Sequence, residues 1–176
     1  LPNGLGIQMK ADDLLVLQMH YNSKAGASGS DQSSIYFTYE TEVDRVRWKQ
    51  PFTDIGWVFG GGMDIPAQSN GVEHFYEREL TNNLTMHSAN LHMHTLGKRA
   101  RMEIEKSDGS KECLIEIDDW DFDWQRTYVF DEEKSVQAGD KWSIECNWDN
   151  PTDQNVDWGD GTGDEMCLGL VLMSLD

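Results

Sequence analysis

The stretch KWSIECNW, residues 141–148, alternates apolar and polar side chains without a break. Its apolar members are Trp142, Ile144, Cys146 and Trp148. A period of two places them all on one face of an extended strand. The stretch RARMEIE, residues 99–105, repeats the pattern. Both segments predict strands with one face in a core and the other toward solvent.

Further strand candidates lie on both sides of these two. They are residues 14–21, 34–41, 55–59, 72–79, 85–94, 112–117, 127–130 and 168–175. Gly, Asn, Asp and Pro residues separate them, and stretches with a helical period are absent. Short strands joined by such turns predict an all-β fold, an antiparallel β-sandwich of jelly-roll-like form.

Length and charge restrict the classes of partner. The chain has 176 residues, which suits one domain or slightly more. Its formal net charge is -18, from 32 acidic and 14 basic residues, so nucleic acid and anionic membranes are not expected partners. No apolar run reaches the roughly 18 residues of a membrane span. The start lacks Met and a signal peptide, which indicates a processed or trimmed piece.

Two histidines, His92 and His94, stand one residue apart at the end of the candidate strand 85–94. Alternate side chains on a strand share a face, so the two imidazoles can present nitrogen atoms to one ion. Paired histidines also occur as ordinary surface residues. A metal site therefore requires a third ligand.

The segment HMHTLGK, residues 92–98, is followed by GDEMC, residues 163–167. Together these motifs resemble the C-terminal catalytic-copper domain of the copper type II, ascorbate-dependent monooxygenases, the family of peptidylglycine hydroxylating monooxygenase and dopamine beta-monooxygenase. The resemblance implies copper ligands at His92, His94 and Met166. It also implies hydroxylation of a substrate C–H bond by oxygen, with an external reductant such as ascorbate.

The residue types agree with that chemistry. A thioether is a soft ligand that favours Cu(I), and imidazole serves both oxidation states of copper. The alternative for Met166 is core packing after a loop, as for any isolated methionine.

The stretch LLVLQMHY, residues 14–21, extends the resemblance to a second, electron-donating copper, with His20 as one ligand. The adjacent His-His pair that completes this copper in the family is absent from the chain. The resemblance thus divides the chain into residues 1–49, which are similar to the end of the family's first domain plus a linker, and residues 50–176, the copper-binding β-sandwich. Strands in 1–49 would fold onto 50–176, pair with another chain, or belong to a larger protein with a further N-terminal domain.

The resemblance also implies a Cys146–Cys167 disulfide that holds the long loop 147–165 against the sandwich. Such a bridge indicates an oxidising compartment, secreted, periplasmic or otherwise extracellular. Cys113 has no counterpart in the family pattern, and its position in ECLIEI predicts a buried free thiol. His87 lies five residues before His92 and is left without a role.

Three positions depart from the peptide-amidating members of the family. Those members carry an arginine two residues before the first ligand histidine, and an asparagine and a tyrosine after the DEMC cysteine, to bind the substrate carboxylate. The matching residues here are Asn90, Leu168 and Leu170, which cannot supply that charge or those donors. A glycine-extended peptide is therefore not expected, the small-molecule or peptide-like substrate stays unnamed, and a bacterial-type relative is indicated.

Two other functions compete with a monooxygenase. The missing His-His pair and the strands of 1–49 favour a non-catalytic copper-binding or assembly module, since strand addition between subunits builds oligomers. A structural sandwich that has kept the motif without metal is the third possibility.

Overall fold

The computed structural model describes residues 4–17, 19 and 29–175. The elements in these residues are β1 (Leu5–Ile7), β2 (Arg45–Phe52), α1 (Ile55–Gly60), β3 (Ser69–Glu79), β4 (Leu84–His92), β5 (Gly97–Glu105), β6 (Lys111–Ile117), β7 (Tyr128–Val136), β8 (Lys141–Asn150) and β9 (Leu168–Leu175). The chain divides into two compact units, Leu1–Val46 and Arg47–Asp176. No helix in the described residues is long and apolar enough to cross a bilayer.

The second unit is built from two antiparallel sheets. One has the strand order β2-β9-β4-β7 and the other the order β3-β8-β5-β6. Buried side chains from both sheets form one hydrophobic core. The predicted all-β, antiparallel sandwich is confirmed.

The stretch that predicted the fold supplies the centre of this core. All four apolar side chains of KWSIECNW are fully buried, as are those of Met102 and Ile104 on the neighbouring β5. The Trp142 ring stacks on Phe52 with 3.8 Å between ring centroids. The prediction that residues 99–105 and 141–148 form strands with one face in the core is therefore confirmed.

Gly169 of β9 lies where the two sheets approach each other. A Cβ atom there would overlap Met102 Sδ and lie 3.6 Å from Ile144 Cδ1. We expect Gly169→Ala to destabilise the fold by about 1–3 kcal/mol, because a fully buried neighbour has no room to move away. Urea denaturation measures this, with Gly60→Ala as the control because a Cβ at Gly60 meets nothing within 4 Å. Equal midpoints for the two variants would contradict the packing argument.

The prediction of a strand at residues 55–59 is wrong. These residues form α1, and the Asp54 side chain caps it by accepting a hydrogen bond from Gly56 N at 2.7 Å. Gly61 ends the helix in the left-handed conformation, with φ of 63°. The capping residues at both ends therefore favour a helix here, because the periodicity of so short an apolar segment does not distinguish a helix from a strand.

Strands were also predicted at residues 14–21 and 34–41. The described parts, 14–17 and 34–41, form no strand. Leu14 is 89 % exposed and Tyr36 is 93 % exposed, so within the described ranges these side chains lack the packing that stabilises a strand. Within this first unit, Gly4 O accepts backbone hydrogen bonds from Asp44 N and Arg45 N.

The prediction of a buried thiol at Cys113 is wrong, although Cys113 is free of disulfide as expected. Cys113 is exposed because the register of β6 shifts: Cys113 pairs with Glu103, but Ile115 pairs with Met102. Leu114 is therefore an extra residue, and both Leu114 and Ile115 are buried. Because of this bulge, the β6 residues that precede Leu114 point to the opposite faces from those that regular alternation predicts.

Candidate metal centre

The two histidines of the HMH motif lie at the end of β4. Leu91 and Met93 are fully buried in the core, so the residues that alternate with them, His92 and His94, belong to the opposite face of the strand. The two imidazole rings lie edge to face, with centroids 5.1 Å apart. Two nitrogen donors are therefore close together at one end of the sandwich.

One nitrogen of each ring is held by an oxygen atom. His92 Nδ1 lies 2.5 Å from Gln125 Oε1, and His94 Nδ1 lies 2.8 Å from the Asp164 carbonyl oxygen. Amide and peptide oxygens only accept hydrogen bonds, so Nδ1 carries the proton in both rings. In the neutral rings each Nε2 therefore keeps its lone pair, the arrangement found in metal-binding histidines.

The Gln125 side chain is itself oriented. Its Nε2 donates to the Phe122 carbonyl at 2.7 Å, which directs Oε1 toward His92. Burial lowers the pKa of His92 below its ordinary value and the neighbouring His94 adds to the effect, while Gln125 and the charge of Glu165 oppose it. The neutral, metal-binding form of His92 is favoured as a result.

Glu165 joins the GDEMC segment to the end of β4. Its side chain is fully buried. Oε2 accepts from His94 N at 2.8 Å and from Trp148 Nε1 at 3.0 Å, and Oε1 accepts from Leu96 N at 2.6 Å. Three donors on one carboxylate fix the loop against the strand that carries the histidines.

Met166 follows Glu165 and is half-buried. Strands β4 and β9 pair antiparallel, with His92 opposite Leu168. Continuing this register by two residues would place Met166 opposite His94. In that continued register the Met166 side chain would share the face of His92 and His94, because directly opposed residues point to the same side of a sheet.

The connection between β6 and β7 lies along this same face. The Phe122 ring is 6.0 Å from the His94 ring, Gln125 contacts His92, and the Arg126 carbonyl accepts from Asn90 Nδ2 at 2.7 Å. The segment 122–126 therefore runs beside three alternate residues, Asn90 and His92 of β4 and His94 just after it. Sequence reasoning missed Phe122 and Gln125 as parts of the site.

The family described as copper type II ascorbate-dependent monooxygenase, C-terminal domain, matches residues 54–173. The chain belongs to this family. The chain is 28 % identical over 176 aligned residues to DBH-like monooxygenase protein 1 of Homo sapiens. This alignment covers 90 % of the chain and 28 % of the relative. The protein of the same name in Gallus gallus is 26 % identical over 185 residues, covering 96 % of the chain and 30 % of the relative. The chain thus spans less than a third of the curated relatives it matches.

The disulfide that the family resemblance implied is present. Cys146 of β8 and Cys167, next to Met166, are bonded and fully buried. The bridge links the centre of one sheet to the residue before β9 in the other. The copper-monooxygenase motif GDEMC is therefore attached to the sandwich at Glu165 and again at Cys167.

Two other histidines bear on the family's copper sites. His87 is the extra residue of a bulge in β4, with Nδ1 3.0 Å from Glu133 Oε1 and Nε2 3.0 Å from Ser174 Oγ. Both nitrogens of His87 therefore face oxygen atoms of the protein, and neither is open to a metal. His20, the predicted ligand of the second copper, lies outside the described residues.

The residues at the end of β4 fit a copper ion. Within the described ranges, no group of three or more His, Cys, Asp and Glu side chains is placed to hold a metal. Two imidazoles and a thioether are a donor set that suits copper, because the thioether favours Cu(I) and imidazole serves both oxidation states. The open Nε2 atoms of His92 and His94 are the observation that supports the fit.

Proposed function

We propose that residues 50–176 are the catalytic-copper domain of a monooxygenase that hydroxylates a substrate C–H bond, with His92, His94 and Met166 as the copper ligands. The observation that carries the proposal is the pair of Nδ1–H groups bound to Gln125 Oε1 and the Asp164 carbonyl. These bonds hold both rings and leave two Nε2 lone pairs at one place before any metal arrives.

Bound copper supplies one-electron redox chemistry and a coordination position for oxygen. The overall reaction balances as R–H plus O₂ plus two electrons and two protons giving R–OH plus H₂O, with ascorbate or a similar reductant as the electron source. The protein's own residues do three things. The Gln125 side chain and the Asp164 carbonyl orient the two imidazoles, Glu165 holds the loop of Met166 at the strand end, and the Phe122 ring lies edge to face with the His94 ring.

The first part of the chain enters the proposal separately. We assign residues 1–49 to the end of a preceding domain plus a linker, and His20 to a second, electron-donating copper. The remaining ligands of that copper would come from residues outside this sequence, in keeping with relatives more than three times as long. The buried disulfide supports a secreted or periplasmic location, because such bridges persist in oxidising compartments.

Copper content provides the direct test. We expect purified protein to hold one copper in the sandwich. We also expect His92→Ala to weaken copper binding by about 100-fold or more, because the loss of a ligand should lower the affinity at least as much as the loss of a residue that orients one. Competition with a Cu(I) chelator measures the affinity, and His74→Gln is the matched control because the His74 Nε2 already contacts the Asp64 carbonyl at 3.0 Å. Equal affinity in wild type and His92→Ala would exclude this site.

A non-catalytic copper-binding or assembly module is a second candidate. The exposed apolar side chains of the first unit, such as Leu14, Val16 and Tyr36, favour it, because large exposed apolar surfaces mark interaction sites. Oxygen consumption that depends on both reductant and copper supports the enzyme. Copper binding without turnover, together with self-association in analytical ultracentrifugation, supports the module.

A further inference from the structure

The core-facing residues of β4 fall into two groups that are out of step with each other. Leu84 and Met86 are buried in the core, and so are Ala89, Leu91 and, just after the strand, Met93. Neighbours within each group are two residues apart, as the alternation of a strand requires, but Met86 and Ala89 are three apart. One extra residue therefore stands between the two halves of the strand.

The pairing with β9 places this extra residue at His87. Met86 lies opposite Met173, and Ser88 lies opposite the next residue of the partner strand, Leu172. Strand β4 thus passes through one residue more than β9 over the same distance, which is a β-bulge. The alternation of side chains restarts after such a bulge with the two faces exchanged.

The bulge decides which way the two candidate copper ligands point. Regular alternation that starts from Leu84 and Met86 would place His92 and His94 on the core side as well, because all four residues have even numbers. With the extra residue before them, Leu91 takes the core position and the two histidines take the opposite face. If the extra residue moved along the strand past the histidines, both imidazoles would turn toward the core.

His87 contacts both neighbours of β4 at the bulge. The residue is only 3 % exposed. Its Nε2 lies 3.0 Å from Ser174 Oγ of β9, and its Nδ1 lies 3.0 Å from Glu133 Oε1 of β7. The pairing of β4 with β7 is also irregular at this place, and residues 130–133 of β7 stand opposite the bulge. A buried polar side chain that reaches both flanking strands can fix the register of the strand between them.

We propose that His87 is a positioning residue of the candidate copper centre. Its contacts with Ser174 and Glu133 hold the extra residue of β4 at position 87, and this keeps His92 and His94 on the face opposite to the core. The inference rests on the proposed function for the metal only, because the faces of the two histidines belong to the metal-free chain. His87 acts through the register of the strand and not as a ligand.

Nitrogen NMR of the imidazoles in metal-free protein measures this placement directly. In the wild type, His92 and His94 should each show one fixed tautomer with the proton on Nδ1, held by Gln125 Oε1 and by the Asp164 carbonyl. In His87→Ala we expect both rings to lose this single tautomer, because the bulge is no longer held in place. Unchanged signals from both rings in folded His87→Ala would refute the proposal, since the apolar alternation of the strand would then set the faces alone.

Copper affinity measures the consequence for the site. His87→Ala should weaken Cu(I) binding by about 10- to 100-fold at a temperature where the variant is fully folded, the range expected for the loss of a residue that orients a ligand. The matched control is Ile104→Val, which removes a methyl group from the core on β5 without changing the register of β4. Wild-type affinity in folded His87→Ala, or an equal loss in Ile104→Val, would overturn the positioning role.

Two further variants separate positioning from a general loss of fold. His87→Gln keeps an amide that can reach Ser174 Oγ, so it should retain more copper affinity and more of the fixed tautomers than His87→Ala. The double variant Ser174→Ala with Glu133→Ala keeps the imidazole of His87 but removes both of its contacts, and it should reproduce the defects of His87→Ala. If His87→Ala does not fold, the double variant decides, and wild-type ring signals in it would contradict the proposal.

The copper proposal and this inference fail separately. Unchanged copper binding in His92→Ala removes the proposed copper site, but the ring signals of the metal-free protein still test the role of His87. A protein that binds copper through His92 and keeps its fixed tautomers in His87→Ala retains the copper site and loses the positioning residue.

Discussion

Replacement of Glu165 by glutamine is expected to lower the free energy of unfolding by about 2–4 kcal/mol and to weaken copper binding by about 10- to 100-fold. The buried carboxylate accepts three hydrogen bonds, two on Oε2 and one on Oε1. An amide can offer an oxygen at only one of these places and turns an N–H₂ group toward donors at the other. At least one donor, from His94 N, Leu96 N or Trp148 Nε1, is then left without an acceptor.

Urea denaturation and Cu(I) competition measure the two effects of Glu165→Gln. The control is Glu116→Gln, a change of the same chemistry at a partly exposed surface pair with Arg99, where a loss of at most about 1 kcal/mol is expected. If both variants unfold at the same denaturant concentration, Glu165 is not the anchor of the loop. If Glu165→Gln is destabilised but binds copper normally, the anchor does not position the ligands.

The sandwich was predictable from β5 and β8 because both strands keep strict alternation and are buried on one side only. Strand β2 was missed because it buries Arg47 and Phe52 and so breaks the apolar alternation. A bulge in β6 likewise overturned the expected burial of Cys113, and a bulge in β4 interrupts the alternation at His87. A bulge depends on how a neighbouring strand pairs, which the strand's own sequence does not contain.

The candidate site was predictable only in part. His92, His94 and Met166 belong to motifs, whereas Gln125 lies 33 residues from His92 in a segment of acidic and aromatic residues without any motif. Its role comes from a contact that only the folded chain creates. Glu165 stands inside the GDEMC motif, and its structural role is to accept hydrogen bonds from His94 N and Trp148 Nε1 with a buried carboxylate.

Removal of the Cys146–Cys167 bridge by double substitution with alanine is expected to destabilise the protein by about 3 kcal/mol, because the bridge closes a loop with a sequence separation of 21. For a chain of this size the melting temperature should fall by about 6–12 °C. Both cysteines are fully buried, so the alanines also leave unfilled space within the core.

The same double variant tests whether the bridge serves the copper site as well as the fold. Cys167 follows Met166, and without the bridge the segment keeps only the hydrogen bonds of Glu165 and of the Asp164 carbonyl, which lie on the other side of Met166. We expect weaker Cu(I) binding even at temperatures where the variant is fully folded, since a less ordered thioether must be fixed when the metal binds. Cys113→Ala is the control, because Cys113 is an exposed free thiol and should change the melting temperature little. Normal copper affinity in the folded double variant would show either that the hydrogen bonds of Asp164 and Glu165 suffice to position Met166 or that Met166 is not a ligand. The copper affinity of Met166→Leu would separate these two outcomes.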